Sequence, residues 1–242
     1  MNLYGLIGYP LSHSFSKKYF DEKFVKDELN DVMFENFSIP HIDLLHDILK
    51  DKNLKGLAVT IPYKKSVIPF LNGMDSVVKE IEACNCIKII NEKFYGYNTD
   101  VIGFEKSFIK HLKPEHNCAL ILGTGGAAAA VKFVLEKLNI KYQFVSRKKI
   151  GNYYLYEDLN EEIINQHQII INTSPVGTYP NVDEAPAIPY QFITSQHYLF
   201  DLIYNPAETK FLQQGKLKNA ITQNGYDMLI LQAEENWKIW NS

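Results

Sequence analysis

The residues of this chain best suited to chemistry gather in a few short stretches. Gly123-Thr124-Gly125-Gly126-Ala127-Ala128 fits G-x-G-x-x-A and stands between an apolar run and a helical pattern. Glycines there let the backbone turn tightly and approach a pyrophosphate, while a helix start offers amide donors and a positive dipole end. The plain alternative is a glycine turn that only leads a strand into a helix. The next strand chooses the nucleotide: an acidic side chain about 20 residues on accepts the ribose hydroxyls of NAD, and a basic one suits the phosphate of NADP. Here that strand ends in Val145-Ser146-Arg147-Lys148-Lys149, with cations and no carboxylate. The expectation is NADP, set against an ordinary solvated basic turn.

Other candidates lie in the first half. Ser12-His13-Ser14-Phe15-Ser16 follows an apolar run and places hydroxyls at the mouth of a helix, where they suit a carboxylate or serve as a plain N-cap. Val59-Thr60-Ile61-Pro62-Tyr63-Lys64 puts a lysine just past a strand, and Gly96-Tyr97-Asn98-Thr99-Asp100 ends another strand on Asn, Thr and Asp. Singly, Lys64 reads as a surface cation and Asp100 as a helix cap. Together they are a candidate dyad, in which the ammonium protonates an alkoxide as a hydride arrives and the carboxylate hydrogen-bonds a substrate hydroxyl.

These groups need elements to carry them. Strand patterns at Leu3–Gly8, Val32–Ile39 and Leu57–Ile61 interleave with helical ones at Ser16–Val25 and Ile42–Leu49, which predicts an α/β layer with parallel pairing. Cys84–Ile90 and Phe94–Asn98 read as a hairpin across Asn91-Glu92-Lys93, and Thr99–His111 as a helix. A second α/β unit follows, with strands at Ala119–Leu122, Tyr142–Val145, Ile169–Ile171 and Leu199–Leu202 and a helix at Ala127–Leu138. The chain closes on a helix from Tyr226 to Trp240 whose apolar side is Ile230, Ala233, Trp237 and Trp240.

Composition narrows the class. With 46% hydrophobic residues over 242 positions the chain can bury a substantial core, and a net charge of −3 argues against a general nucleic-acid binder. No signal peptide is visible and no apolar run approaches the roughly 20 residues needed to span a bilayer. A soluble, cytoplasmic protein is expected, with no membrane partner. The cysteines Cys84, Cys86 and Cys118 make no disulfide framework, and no histidine stands at metal-ligand spacing beside them, so no metal is expected.

Along essentially its whole length the chain resembles the shikimate dehydrogenase family. The matching stretches are Gly8 to Ser16, Val59 to Lys64, Asn98 to Asp100, and Gly123 to Ala127. Further on come Asn172-Thr173-Ser174-Pro175-Val176-Gly177, Asp201 to Pro206 with Thr209, and Asn224 to Leu229 with Gln232. The resemblance implies NADPH-dependent reversible reduction of 3-dehydroshikimate to shikimate. It implies that Ser14 and Ser16 hold the substrate carboxylate, with Tyr204 near it, and that Thr60, Asn85, Asp100 and Gln232 contact the ring hydroxyls. Lys64 matches the catalytic lysine. Gly123, Thr124, Gly125, Gly126 and Ala127 match the pyrophosphate loop, Ser146, Arg147 and Lys148 the clamp on the 2′-phosphate, and Leu202 and Gly225 the backbone at the nicotinamide end. The implied architecture is an N-terminal α/β substrate domain (residues 1–100 with 225–242) and a Rossmann-type NADP-binding domain (101–224), in a monomer or homodimer. Departures from the family pattern are Ala58 for Asn, Val101 for Gly, Ser146 for Asn and Cys86 for Thr; they bear on cofactor affinity and loop geometry and leave the proton donor in place. The rivals are an NAD-using quinate/shikimate dehydrogenase, a nucleotide-binding regulator without catalysis, and a folate or amino-acid dehydrogenase sharing only the architecture.

Overall fold

A computed structural model describes residues 1–11 and 14–242. Ser12 and His13 of the hydroxyl-rich segment lie outside the described residues. The chain divides into two compact units, Met1–Thr99 with Ala233–Ser242, and Asp100–Gln232. Compared with the expected boundaries, Asp100 and residues 225–232 fall with the second unit. The final crossing runs inside one continuous helix, where sequence carries no break.

The first unit holds β1 (Asn2–Gly8), α1 (Phe15–Lys26), β2 (Val32–Ser38), α2 (Leu45–Ile48), β3 (Leu54–Val59), β4 (Gly73–Met74), α3 (Ser76–Ile81), β5 (Cys86–Ile90) and β6 (Lys93–Tyr97). Its sheet runs β2-β1-β3-β5-β6-β4. β1 pairs in parallel with β2 and β3, and β5 is antiparallel to β3 and β6, so the predicted hairpin is present. Phe20 and Phe24 lie one turn apart on α1 and pack with Tyr4, Leu6, Phe34 and Trp240 on one face of the sheet. Leu3, Ile7, Leu57, Val59 and Tyr63 form the core of the other face.

The second unit continues with α4 (Thr99–Phe108, its first residue in the first unit), β7 (Cys118–Leu122), α5 (Gly126–Lys137), β8 (Lys141–Ser146), β9 (Tyr154–Leu155), α6 (Glu161–Gln166), β10 (Ile169–Asn172), β11 (Tyr198–Asp201), α7 (Lys210–Leu217), β12 (Ile221–Gln223) and α8 (Tyr226–Asn241). Every strand pair in its sheet is parallel, in the order β12-β11-β10-β7-β8-β9. That is the doubly wound dinucleotide-binding order, with its switch point between β7 and β10. β10 and β11 are buried at every residue, as central parallel strands are, and read as apolar runs that end on the buried polar residues Asn172 and Asp201.

Two expected elements differ. The stretch 42–49 is a 3₁₀ turn (Ile42–Leu44) followed by the one-turn α2, because its apolar pattern lasts barely two turns. β3 starts earlier than expected and stops at Val59, since Thr60 opens a turn closed by the Tyr63 N–H at 2.9 Å. Among the described residues no helix is long and apolar enough to cross a membrane.

Candidate active site

Lys64 sits in the turn after β3, and its position is set by its neighbours. Tyr63 is buried and its hydroxyl donates to the Ile39 carbonyl, while the Lys64 carbonyl accepts the Cys84 N–H at 2.7 Å. The backbone thus holds the lysine from both sides, and its side chain is half-buried. Thr60 lies one turn earlier, its N–H on the Ile7 carbonyl at 2.9 Å. The Val59 N–H reaches the Asn85 carbonyl at 2.8 Å, so Thr60, Lys64 and Asn85 lie at one end of the neighbouring strands β3 and β5.

Asn85 is only 3% exposed. Its Oδ1 accepts the Thr99 N–H at 2.7 Å and lies 3.2 Å from Thr99 Oγ1, whose proton also faces Asn236 Oδ1 at 2.7 Å. Among the described residues nothing accepts from Asn85 Nδ2. The amide therefore presents itself as a donor, which suits a substrate oxygen. Ser14 is the N-cap of α1, its Oγ accepting the Lys17 N–H at 3.4 Å, and Ser16 stands in the first turn. The cap leaves the Ser14 hydroxyl proton available to an anion. Cys84 and Cys86 are buried; burial raises the Cys84 thiol to about 12 and pushes Cys86 well above the usual thiol range, so neither supplies a nucleophile.

In the second unit Asp100 is the buried second residue of α4. Gln232 is half-buried on α8, with Nε2 donating to the Leu229 carbonyl at 3.0 Å. Tyr204 follows β11, and burial raises its hydroxyl pKa. The end of β11 is locked by a buried network: Asp201 accepts from Thr209 Oγ1 at 2.6 Å, the Ile203 N–H at 3.1 Å and Asn172 Nδ2 at 3.1 Å. Burial raises the Asp201 carboxyl to about 6. The structure brings Leu202 and Gly225 together, since a Cβ on Gly225 would overlap the Leu202 carbonyl.

Gly123 ends β7 with φ +108°, a conformation L side chains rarely adopt, and a Cβ there would come within 3.0 Å of Thr173 Oγ1. The close approach to Thr173, just past β10, is the crevice of the switch point. Thr124, Gly125 and Gly126 are exposed, and a Cβ on either of these glycines would meet open space; Ala127 is half-buried in the first turn of α5. Ser146 is buried at the end of β8, and Arg147 and Lys148 are exposed just beyond it. An open glycine loop at a helix start, beside two exposed cations, fits a dinucleotide diphosphate and a further phosphate.

Sequence reasoning did not single out Thr99 and Asn236. Thr99 lay inside a recognised motif with no role of its own. Asn236 stands one turn after Gln232 as a polar residue on the helix face that was read as apolar.

Comparison with known proteins adds to this geometry. Residues 6–87 match the family described as shikimate dehydrogenase substrate binding domain. The chain is 38% identical over 253 residues to the shikimate dehydrogenase (NADP(+)) of Clostridium beijerinckii, covering 99% of this chain and 92% of that protein. The crystal structure of shikimate dehydrogenase from Aquifex aeolicus superposes with a TM-score of 0.89 at 34% identity, over 100% of this chain and 92% of that one. A shikimate dehydrogenase solved in complex with NADP+ matches with a TM-score of 0.86 at 32% identity, over 99% and 90%.

Proposed function

The chain belongs to the shikimate dehydrogenase family, and from that membership we propose a role for each part of it. It is an NADP-dependent oxidoreductase that reversibly reduces 3-dehydroshikimate to shikimate, a step of aromatic amino-acid biosynthesis. The observation that carries this reading is near-full-length similarity to relatives named for the activity. The first unit supplies Ser14, Ser16, Thr60, Lys64 and Asn85 to the substrate, and the second unit holds NADP. Gly123 to Ala127 hold the diphosphate, Ser146, Arg147 and Lys148 serve the 2′-phosphate, and Leu202 and Gly225 line the nicotinamide end.

Bound NADPH supplies the hydride. Lys64 donates a proton to the ring carbonyl oxygen as negative charge builds on it, and takes a proton back in the reverse direction. Ser14 and Ser16 bind the substrate carboxylate, with Tyr204 beside it. Thr60, Asn85, Asp100 and Gln232 bind ring hydroxyls, and Asn85 does so as a donor. A small-molecule substrate and a monomeric or homodimeric protein in the cytoplasm complete the proposal.

Initial rates with shikimate and quinate, each with NADP and with NAD, test it. Fast NADP reduction with shikimate is expected. Preference for quinate with NAD would move the chain to the rival subgroup. Inactivity with every pair, in a folded protein that binds NADPH, would leave a non-catalytic regulator.

A further inference from the structure

The neighbouring strands β10 and β11 end on polar residues that meet. Asn172 and Asp201 are both 0% exposed, and Asn172 Nδ2 donates to Asp201 Oδ1 at 3.1 Å. The same oxygen accepts the Ile203 N–H at 3.1 Å. Asp201 Oδ2 accepts from Thr209 Oγ1 at 2.6 Å, and Thr209 is the N-cap of α7. One carboxylate thus gathers three donors, from the end of β10, the turn after β11 and the start of α7.

A carboxylate with no exposure is a costly way to join three segments. Burial raises Asp201 to about 6, so the folded chain favours its neutral form more than water does. An amide of the same shape would serve a purely structural role. What the carboxylate adds is two oxygens that only accept, with charge-assisted bonds about twice as strong as neutral ones.

One of those bonds falls on the peptide between Leu202 and Ile203. That peptide is trans, so its carbonyl points opposite to its N–H. The Leu202 N–H is held by the Asn172 carbonyl at 3.0 Å, and the Ile203 N–H by Asp201. With the Ile203 N–H turned into the buried network, the Leu202 carbonyl must face away from it. There it meets Gly225, whose N–H donates to the Ile203 carbonyl at 3.0 Å and where a Cβ would overlap the Leu202 carbonyl.

We propose that Asp201 is a positioning residue for the nicotinamide end of the cofactor site: it holds the Ile203 N–H inward and so aims the Leu202 carbonyl outward. This assignment rests on the placing of Leu202 and Gly225 at the nicotinamide end proposed above. Asp201 touches neither substrate nor cofactor and acts only through the peptide it holds.

Two measurements on the full chain separate aim from support. Calorimetry with 2′,5′-ADP, which has no nicotinamide, reads the phosphate end alone; single-turnover NADP reduction at saturating shikimate reads the reacting end. Asp201→Asn keeps the shape and an acceptor for the Ile203 N–H, and should fold with an unchanged melting temperature. Its 2′,5′-ADP binding should stay within about twofold, while the single-turnover rate falls about fivefold, the ratio between a charged and a neutral hydrogen bond. Asp201→Ala frees the peptide, and its rate should fall roughly 10²-fold, the loss that a misplacement near 1 Å causes. If Asp201→Ala does not fold, Asp201→Asn carries the test. A wild-type rate in Asp201→Asn would overturn the proposal. So would equal losses of rate and of 2′,5′-ADP binding, which would make Asp201 a general support of the sheet. A wild-type chain that binds NADP but reduces none with shikimate would fail the underlying reading, whereas an active wild type with an unaffected Asp201→Asn fails this inference alone.

Discussion

In the first unit the groups assigned to substrate are pinned before any ligand arrives. Asn85 is buried with its oxygen tied to Thr99, and Lys64 stands in a turn anchored by Tyr63 and Cys84. In the second unit the groups assigned to the cofactor's phosphates are an exposed glycine loop and two solvated arms, Arg147 and Lys148. The contrast follows from what each ligand offers. Ring hydroxyls are neutral and small, so a donor earns selectivity only if it is already in place; ordering a free side chain costs about 0.5–1.5 kcal/mol. A phosphate attracts cations at longer range, and flexible arms suffice, but salt screens them. Substitutions on the pinned side should therefore cost more, and less conditionally, than those on the solvated side.

Lys64→Ala is the most severe test. Turnover should fall roughly 10²- to 10⁴-fold, the usual contribution of a general acid, while NADPH binding changes little. Single-turnover and steady-state rates measure it, and unchanged turnover would remove Lys64 from the chemistry. Next comes Ser14→Ala. A hydrogen bond to a charged group is worth about 1.5–3 kcal/mol, so KM for shikimate should rise roughly 10- to 150-fold with turnover largely kept. Loss of turnover at unchanged KM would contradict a carboxylate-binding role.

On the solvated side Arg147→Ala should raise KM for NADPH about tenfold at low salt and leave KM for shikimate alone. Since the guanidinium is exposed, the gap between variant and wild type should narrow as ionic strength rises past about 0.1 M. A gap that is the same at low and high salt would mean that the arm is ordered and shielded on binding, and the contrast between the two sides would weaken.

The same contrast governs what could be read from the chain alone. The glycine turn at Gly123 to Ala127 and the basic turn after β8, the candidate phosphate groups, were legible because their signals are local: glycines, helix start and strand end lie within a few residues. The central strands β10 and β11 were legible because each is an apolar run of three residues closed by a polar one, Asn172 or Asp201. The edge strands β4, β9 and β12 were not, since two or three residues show no period. Nor were α3, α6 and α7, helices of six to eight residues. The support of Asn85 was illegible for a different reason. Thr99 is 14 residues away from it and Asn236 is 137 residues from Thr99, and only the folded sheet and α8 bring them together.

Acid gives the smallest effect and separates the units by what they bury. The network around Asn85 consists of amides and a hydroxyl, which do not titrate. The second unit buries His116 and His167, and desolvation lowers the pKa of both below 6.5. As pH falls through 6.5 the unfolded chain takes up these protons before the folded one, so stability present above that pH is lost below it. Asp201 works in the opposite sense: raised to about 6, its carboxyl is protonated first in the folded state, and stability is gained as pH falls through 6. His116 can be tested separately. Its Nδ1 accepts the Lys113 N–H at 3.1 Å, which leaves Nε2–H to donate to the Gln196 carbonyl at 3.2 Å. A glutamine amide keeps one acceptor and one donor but cannot take the proton. In urea melts at pH 7.5 and 5.5, His116→Gln should lose less stability than the wild type, by at most about 1.4 kcal/mol for each pH unit below 6.5. Parallel losses in the two proteins would show that His116 takes up its proton as readily in the folded chain as in the unfolded one, and would remove it from the acid sensitivity of the second unit.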